Sequence, residues 1–194
     1  MSVKAVIQAG HPSLKKINKQ IININLPKIK KLRKDLVDTM NKTGLIGIAA
    51  PQIAQNYMMF VTHPRKTKAR SLGRIDKIRT YINPKIRKKK KKENIIYEGC
   101  GSVVKGDLFG PVSRSEEIEI EALDENGKKF RLRCDGILAR VIQHEYDHLM
   151  GIEFLEKISD YKKIIVGDYY RKKIRNSKLQ KQNSLITKID HKKV

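Results

Sequence analysis

The sequence predicts a single domain of α+β class. Three features carry that expectation. An amphipathic helical stretch lies near the N-terminus, a β-hairpin with alternating apolar and charged residues lies in the middle, and a second helix follows it directly. The 194 residues suit one domain, and 39% apolar residues suffice for a core although 32% are charged. No internal repeat and no Gly/Ser linker divides the chain.

The first element is a helix over residues 26–40. Ile29, Leu32, Leu36, Val37 and Met40 share one face, and Lys30, Lys31, Arg33 and Lys34 lie on the solvent side. Pro27 suits a first helical turn, and Gly44 suits a left-handed C-terminal cap. Pro51 stops any helix, and residues 57–62 read as a buried strand. From 65 to 92 the chain reads as a basic excursion with a short strand near 78–82, before Pro84. Seven of the eight residues Lys85–Lys92 are cationic, a self-repelling run that predicts a solvated loop or a flared hairpin. Residues 95–97 read as another strand.

Next comes the clearest signal. In 117–123 glutamates alternate with Ile118 and Ile120, Asp124-Glu125-Asn126-Gly127 supplies a turn, and 130–134 alternates again. Asp135 stands where it could cap a helix over 137–150, and Gly151 where it could end that helix. A last basic helix is expected over about 160–179.

The formal net charge of +23 suggests a partner for polyanions, yet the charge is unevenly spread. Residues 1–64, 65–92 and 157–194 carry nets of +8, +13 and +9, whereas 93–156 carries −7. A basic shell around an acidic block argues against a dedicated fold for sequence-specific nucleic-acid binding. No apolar run reaches the roughly 18 residues of a membrane-spanning helix, so no membrane partner is expected. The start, MSVKAVIQAGHP, lacks the features of a secretory signal, and two cysteines cannot build a disulfide scaffold. A cytoplasmic setting is the expectation.

The acidic block holds the chemistry. His144-Glu145-Tyr146-Asp147-His148 is an HExxH sequence inside the predicted second helix. Histidines four residues apart share one helix face, so both imidazoles can reach one metal ion. Glu145, beside the first of them, can reach a water activated by that ion and act as its base. Asp147 points off that face and reads as a solvent-facing or supporting group. A catalytic site usually needs a third protein ligand. Cys100, Cys134, His11, His63 and several carboxylates are available. Cys100 lies between Gly99 and Gly101, which let the backbone approach closely, while Cys134 ends an amphipathic strand and suits a small buried role.

Three motifs together resemble one family. QHEYDH (Gln143–His148), EGCGS (Glu98–Ser102) and IGIAAPQ (Ile46–Gln52) have the order and spacing seen in peptide deformylases, and Gly10-His11-Pro12-Ser13-Leu14 is similar to that family's start. The resemblance covers roughly residues 3–158. It implies a deformylase-like fold with antiparallel β-sheets around a central HExxH helix, an N-terminal helix and a basic C-terminal helix. Residues 1–158 would be the catalytic domain and 159–194 a basic extension of it.

By the same resemblance Cys100, His144 and His148 bind one divalent metal ion, ferrous iron natively, with zinc or nickel able to take its place. Glu145 is the general base and acid, and Gln52 with the N–H of Gly101 binds the oxyanion. Ile46, Gly47, Glu98, Gly99, Arg140 and Val141 contact substrate. The implied reaction is hydrolytic removal of the formyl group from N-formylmethionine on nascent polypeptides. The ribosome is the implied partner for residues 159–194.

This chain departs from the family pattern at Leu45, where glycine is usual, and at Gly101, where leucine is frequent. Arg140 is shared with the subgroup that includes organellar enzymes. Three other readings compete. The departures could mark a catalytically weak paralogue. A zinc endopeptidase would take a third ligand from Glu153 or Glu156. A basic ribosome- or RNA-binding protein would close a structural site with Cys134.

Overall fold

In the computed structural model, which describes residues 2–67 and 72–194, two helices cover opposite faces of one antiparallel sheet. In chain order the strands are β1 (Gly47–Ala49), β2 (Met59–Thr62), β3 (Arg79–Lys89), β4 (Glu93–Gly99), β5 (Leu108–Ser115), β6 (Glu117–Leu123), β7 (Lys129–Asp135), β8 (Ile165–Val166) and β9 (Ile189–Lys193). The large sheet has the order β1-β2-β3-β6-β7-β9, and β4-β5-β8 form a smaller one. Every named strand pair is antiparallel.

Helix α1 (Pro27–Thr43) starts on Pro27 and ends at Gly44, whose φ of 74° is the left-handed cap conformation that a Cβ would strain. Its apolar stripe of Ile29, Leu32, Leu36 and Met40 packs on Ile48, Met59 and Val61. Helix α2 (Gly136–Leu149) places Leu138, Ala139, Ile142 and Leu149 against Ala49, Phe60, Ile118, Ile120 and Leu132. Strand β2 is thus apolar at successive positions because both of its faces are covered.

Four expectations need correction. Strand β3 does not stop before Pro84; the register shifts between Ile82 and Lys85, so the proline falls where a ladder hydrogen bond is already missing. The basic run is therefore half strand. Lys85 stands opposite Glu121 and Lys88 opposite Glu119, and the Arg87 guanidinium lies 2.7 Å from Glu121. The glutamates of β6 hold the cations of β3 on one side and Lys129, Arg131 and Arg133 of β7 on the other. Strand β5 has no counterpart in the sequence reading.

Asp135 stands at the N-cap of α2 without capping it. Its carboxylate instead accepts from the N–H groups of Thr187 (2.8 Å) and Lys188 (2.9 Å), tying down the C-terminal segment. That segment is not one basic helix. It runs through a 3₁₀ turn at Tyr161–Lys163, β8, a short α3 (Gly167–Tyr169) that widens into a π-helical stretch at Tyr170–Ile174, then α4 (Lys178–Ser184) and β9. Tertiary contacts override its helical pattern: a Cβ on Gly167 would fall 1.9 Å from Asp107 Oδ1, and Arg171 pairs with Asp107 at 2.9 Å. Strand β9 then pairs with β7 from Ile189 to Lys193, so the extension belongs to the main sheet. Among the described residues no helix is long and apolar enough to cross a membrane.

Candidate metal centre

Helix α2 carries His144 and His148 one turn apart, and their rings meet edge-on at 5.0 Å. The end of β4 brings Cys100 to them. Its Sγ lies 3.3 Å from His148 Nε2, and one ligand atom each from Cys100, His144 and His148 lies within 4.8 Å of the others. A tetrahedral ion with a thiolate and an imidazole as ligands would hold S and N about 3.6 Å apart, so the three donors fit one. A thiolate with two imidazoles suits zinc or ferrous iron among the common ions. These are the only three His, Cys, Asp or Glu residues grouped this way among the described residues.

The other candidates lie elsewhere. Cys134 is fully buried in the core on β7, where burial pushes its thiol well above the ordinary range. His11 accepts from Ser13 N–H at the start of a 3₁₀ turn, and His63 follows β2. Glu153 and Glu156 both pair with Lys15 at 2.8 Å. Neither the peptidase reading nor the closed structural site finds its missing ligand.

Glu98 explains how His144 is held. Its Oε2 lies 3.1 Å from His144 Nδ1, which leaves Nε2 for an ion. The same carboxylate receives a bidentate pair from Arg114 (2.7 and 3.0 Å) and a bond from Arg140 (2.5 Å). Burial alone would raise the carboxyl pKa, but the Arg114 and Arg140 charges and the His144 bond hold it well below the usual range. Arg114 also reaches Asp147 at 2.7 Å, so Asp147 supports the network from behind. Glu98 and Arg140 line the cavity, yet their charged groups are engaged with each other. These contacts hold both residues in place in the part of the cavity wall where the sequence reading expected substrate contact.

Burial drives His148 well below its ordinary pKa, with His144 and Arg114 adding to the effect, so it is neutral. For His144 burial acts in the same direction but is outweighed by its bonds to Cys100 and Glu98. Glu145 is 4% exposed and its pKa is raised to about 7, chiefly by burial. Its Oε2 is buried without a hydrogen-bond partner, as expected of a base whose proton donor is a water or substrate. Gly47 makes room for it: a Cβ there would lie 2.5 Å from Glu145 Oε1 and 2.5 Å from Val141 Cγ1.

Gln52 sits on the 3₁₀ turn Ala50–Ile53. Its Oε1 accepts from Ala49 N–H at 2.9 Å, which fixes the amide so that Nε2 faces the site. From there Nε2 lies 3.6 Å from Cys100 Sγ and 3.3 Å from Ser102 Oγ. The sequence reading missed Ser102 and Arg114 as parts of this shell, whereas Asp147, read there as a solvent-facing or supporting group, is bonded to Arg114. Ser102 alone carried a signal, inside the EGCGS motif.

All of this opens on a cavity of about 790 Å³. Ile46, Gly47, Gln52, Gly99, Cys100, Gly101, Val141, His144 and Glu145 line it. Its outer bank comes from the C-terminal segment, through Tyr170, Arg171, Lys181 and Leu185 among others.

Residues 3–164 match the sequence profile of the polypeptide deformylase family. A peptide deformylase of Pelagibacter ubique is 36% identical over 166 residues, 86% of this chain and 92% of that protein. One from Neisseria meningitidis is 36% identical over 84% of this chain and 90% of its own length. Among solved structures, a class I type b peptide deformylase from Acinetobacter baumannii superposes with a TM-score of 0.77 at 28% identity, over 82% of this chain and all of that one. The enzyme from Ehrlichia chaffeensis in complex with actinonin gives 0.75 at 28% identity, over 92% of this chain and 99% of the other.

Proposed function

This chain belongs to the peptide deformylase family, and from that premise we infer that Cys100, His144 and His148 would hold a divalent metal ion, beside which Glu145 acts on water and Gln52 on the substrate. The protein is a hydrolase that removes the formyl group from N-formylmethionine at the start of nascent polypeptides. The observation that carries the residue roles is the Oε2 of Glu145, buried beside a Cys/His/His cluster without a hydrogen-bond partner among the described residues.

When bound, the ion supplies a Lewis acid that lowers the pKa of water toward neutrality. Glu145 takes the proton of the attacking water and returns it to the leaving amine. As the water oxygen bonds to the formyl carbon, the Nε2 of Gln52 and the N–H of Gly101 donate to the negative charge that develops on the formyl oxygen, until the C–N bond breaks and the amine leaves. Glu98 holds the His144 ring, and Gly47 keeps Glu145 against β1. The substrate backbone lies beside Ile46, Gly47 and Gly99, with Val141 against its side chain. Ferrous iron is the native ion, and zinc or nickel can occupy the site.

Residues 1–158 act as the catalytic domain and 159–194 as its extension, in a cytoplasmic enzyme. Exposed Lys162, Lys163, Lys172, Lys173 and Lys178 support docking on ribosomal RNA phosphates. Co-sedimentation with ribosomes that ignores salt, or survives replacement of these lysines by glutamate, rejects docking.

Site assignment is tested by metal analysis of anaerobically purified wild type and Cys100→Ala, alongside deformylation of a formyl-Met peptide. Cys100→Ala should lose both metal and turnover. Full metal occupancy in Cys100→Ala would refute the ligand set.

A further inference from the structure

Helix α4 does something to the cavity that the family reading does not require. In an antiparallel strand the main-chain groups of alternate residues point to the same side. Tyr97 stands opposite Pro111 of β5, which has no N–H to exchange, so the main-chain groups of Tyr97 turn away from β5. Those of Gly99, two residues on, turn the same way.

Both groups of Tyr97 are taken by one side chain. Its N–H donates to Gln180 Oε1 at 3.0 Å, and its C=O accepts from Gln180 Nε2 at 2.9 Å. A carboxamide presents one acceptor and one donor side by side, as a neighbouring strand residue does. Gln180 thus covers one step of the free edge of β4, the outer strand of its sheet.

The plug is firmly set. Gln180 is 7% exposed although it stands on a cationic surface helix, and its N–H is capped by Ser177 Oγ at 3.3 Å. Its Nε2 also lies 3.3 Å from the Tyr170 hydroxyl, and the Tyr170 ring stacks on Phe109 at 3.9 Å between centroids. Gly99 beside it has no room for a side chain, since a Cβ would meet Phe109 Cε1 at 2.8 Å.

We propose that Gln180 is a specificity-determining residue that ends the peptide-binding edge of the cavity. An extended substrate pairs with β4 at Gly99 and is turned away from the strand before Tyr97, because Gln180 already holds that step. The proposal rests on the deformylase reading. It predicts that backbone recognition stops at a fixed distance from the formyl group, whatever the length of the nascent chain.

The test measures kcat and KM for a ladder of formyl-Met peptides, from dipeptide upward, with wild type and Gln180→Ala. The wild-type kcat/KM rises with length and then levels off. Gln180→Ala matches it on the shortest peptides but keeps rising over the next two residues, by about three- to tenfold per new backbone hydrogen bond. The gain appears in KM and leaves kcat unchanged. Superimposable length profiles overturn the proposal.

If Gln180→Ala does not fold by circular dichroism, inhibition of wild type by deformylated product peptides of growing length decides. Affinity that levels off at the same length upholds the proposal, and affinity that climbs without limit overturns it. Wild type that turns over no formyl-Met peptide at all rejects the deformylase reading instead.

Discussion

Leu45 and Gly101 compete for one volume. The Leu45 Cδ1 atom lies 3.1 Å, and its Cδ2 atom 3.4 Å, from where a Cβ on Gly101 would stand. The two positions that the resemblance marks as departures from its motifs are therefore tied together as one exchange, with the Leu45 side chain in space that a side chain at 101 would enter. Both residues line the cavity.

The exchange predicts strong coupling. Gly101→Leu alone overpacks the wall, at a cost of about 1–3 kcal/mol, and should lower kcat/KM and thermal stability together. Adding Leu45→Gly should return most of both losses. A double-mutant cycle in which the two effects simply add contradicts the pairing.

Gly47 is predicted to matter through Glu145. Alanine there places a Cβ against Glu145 Oε1 and Val141, so the carboxylate must move. Gly47→Ala should keep its metal and lose about 10²-fold or more in kcat, as expected when a general base is misplaced. Metal analysis beside steady-state rates checks this, and an unchanged kcat argues against the contact.

Glu98 sets an acid limit on stability. Its folded pKa is depressed below the ordinary 4.5, so its contribution is present above that value and lost as pH falls below it. Glu98→Gln should flatten the acid limb of thermal stability plotted against pH. It should also weaken metal binding by about 10–100-fold through His144. An unaltered acid limb would show that the Arg114 and Arg140 contacts do not act through this charge.

Removing the ion should expose one thiol and not two. Cys134 is fully buried in the core, whereas Cys100 borders the cavity. After chelation, iodoacetamide should label one cysteine per chain and activity should be lost. Prior loading with zinc should protect both. Labelling of Cys100 at equal rates with and without metal contradicts its role as a ligand.

What the sequence made legible was what repeats locally. The HExxH spacing, the period-2 run of 117–123 and the face of α1 each depend on neighbours a few residues away, and each lies where it was expected. Strand β5 escaped notice because Gly110 and Pro111 interrupt its alternation. The length of β3 was hidden by Pro84, which only a register shift makes tolerable. Arg114 and Gln180 were silent for another reason. Their partners, Glu98 for Arg114 and Tyr97 for Gln180, lie far away in the chain, and no spacing rule links them. The C-terminal segment was misread as one helix because its true partners, Asp107 and Asp135, are equally remote.

The proposed function turns on a metal ion held by Cys100, His144 and His148, with Glu145 as the base toward the attacking water. The most direct test is the metal-to-protein ratio measured together with formyl-Met peptide turnover, for anaerobically purified wild type and Glu145→Gln. Full occupancy is expected in both proteins, and turnover in wild type alone. Turnover by Glu145→Gln at the wild-type rate, or a fully loaded wild type that leaves formyl-Met peptides intact, would contradict it.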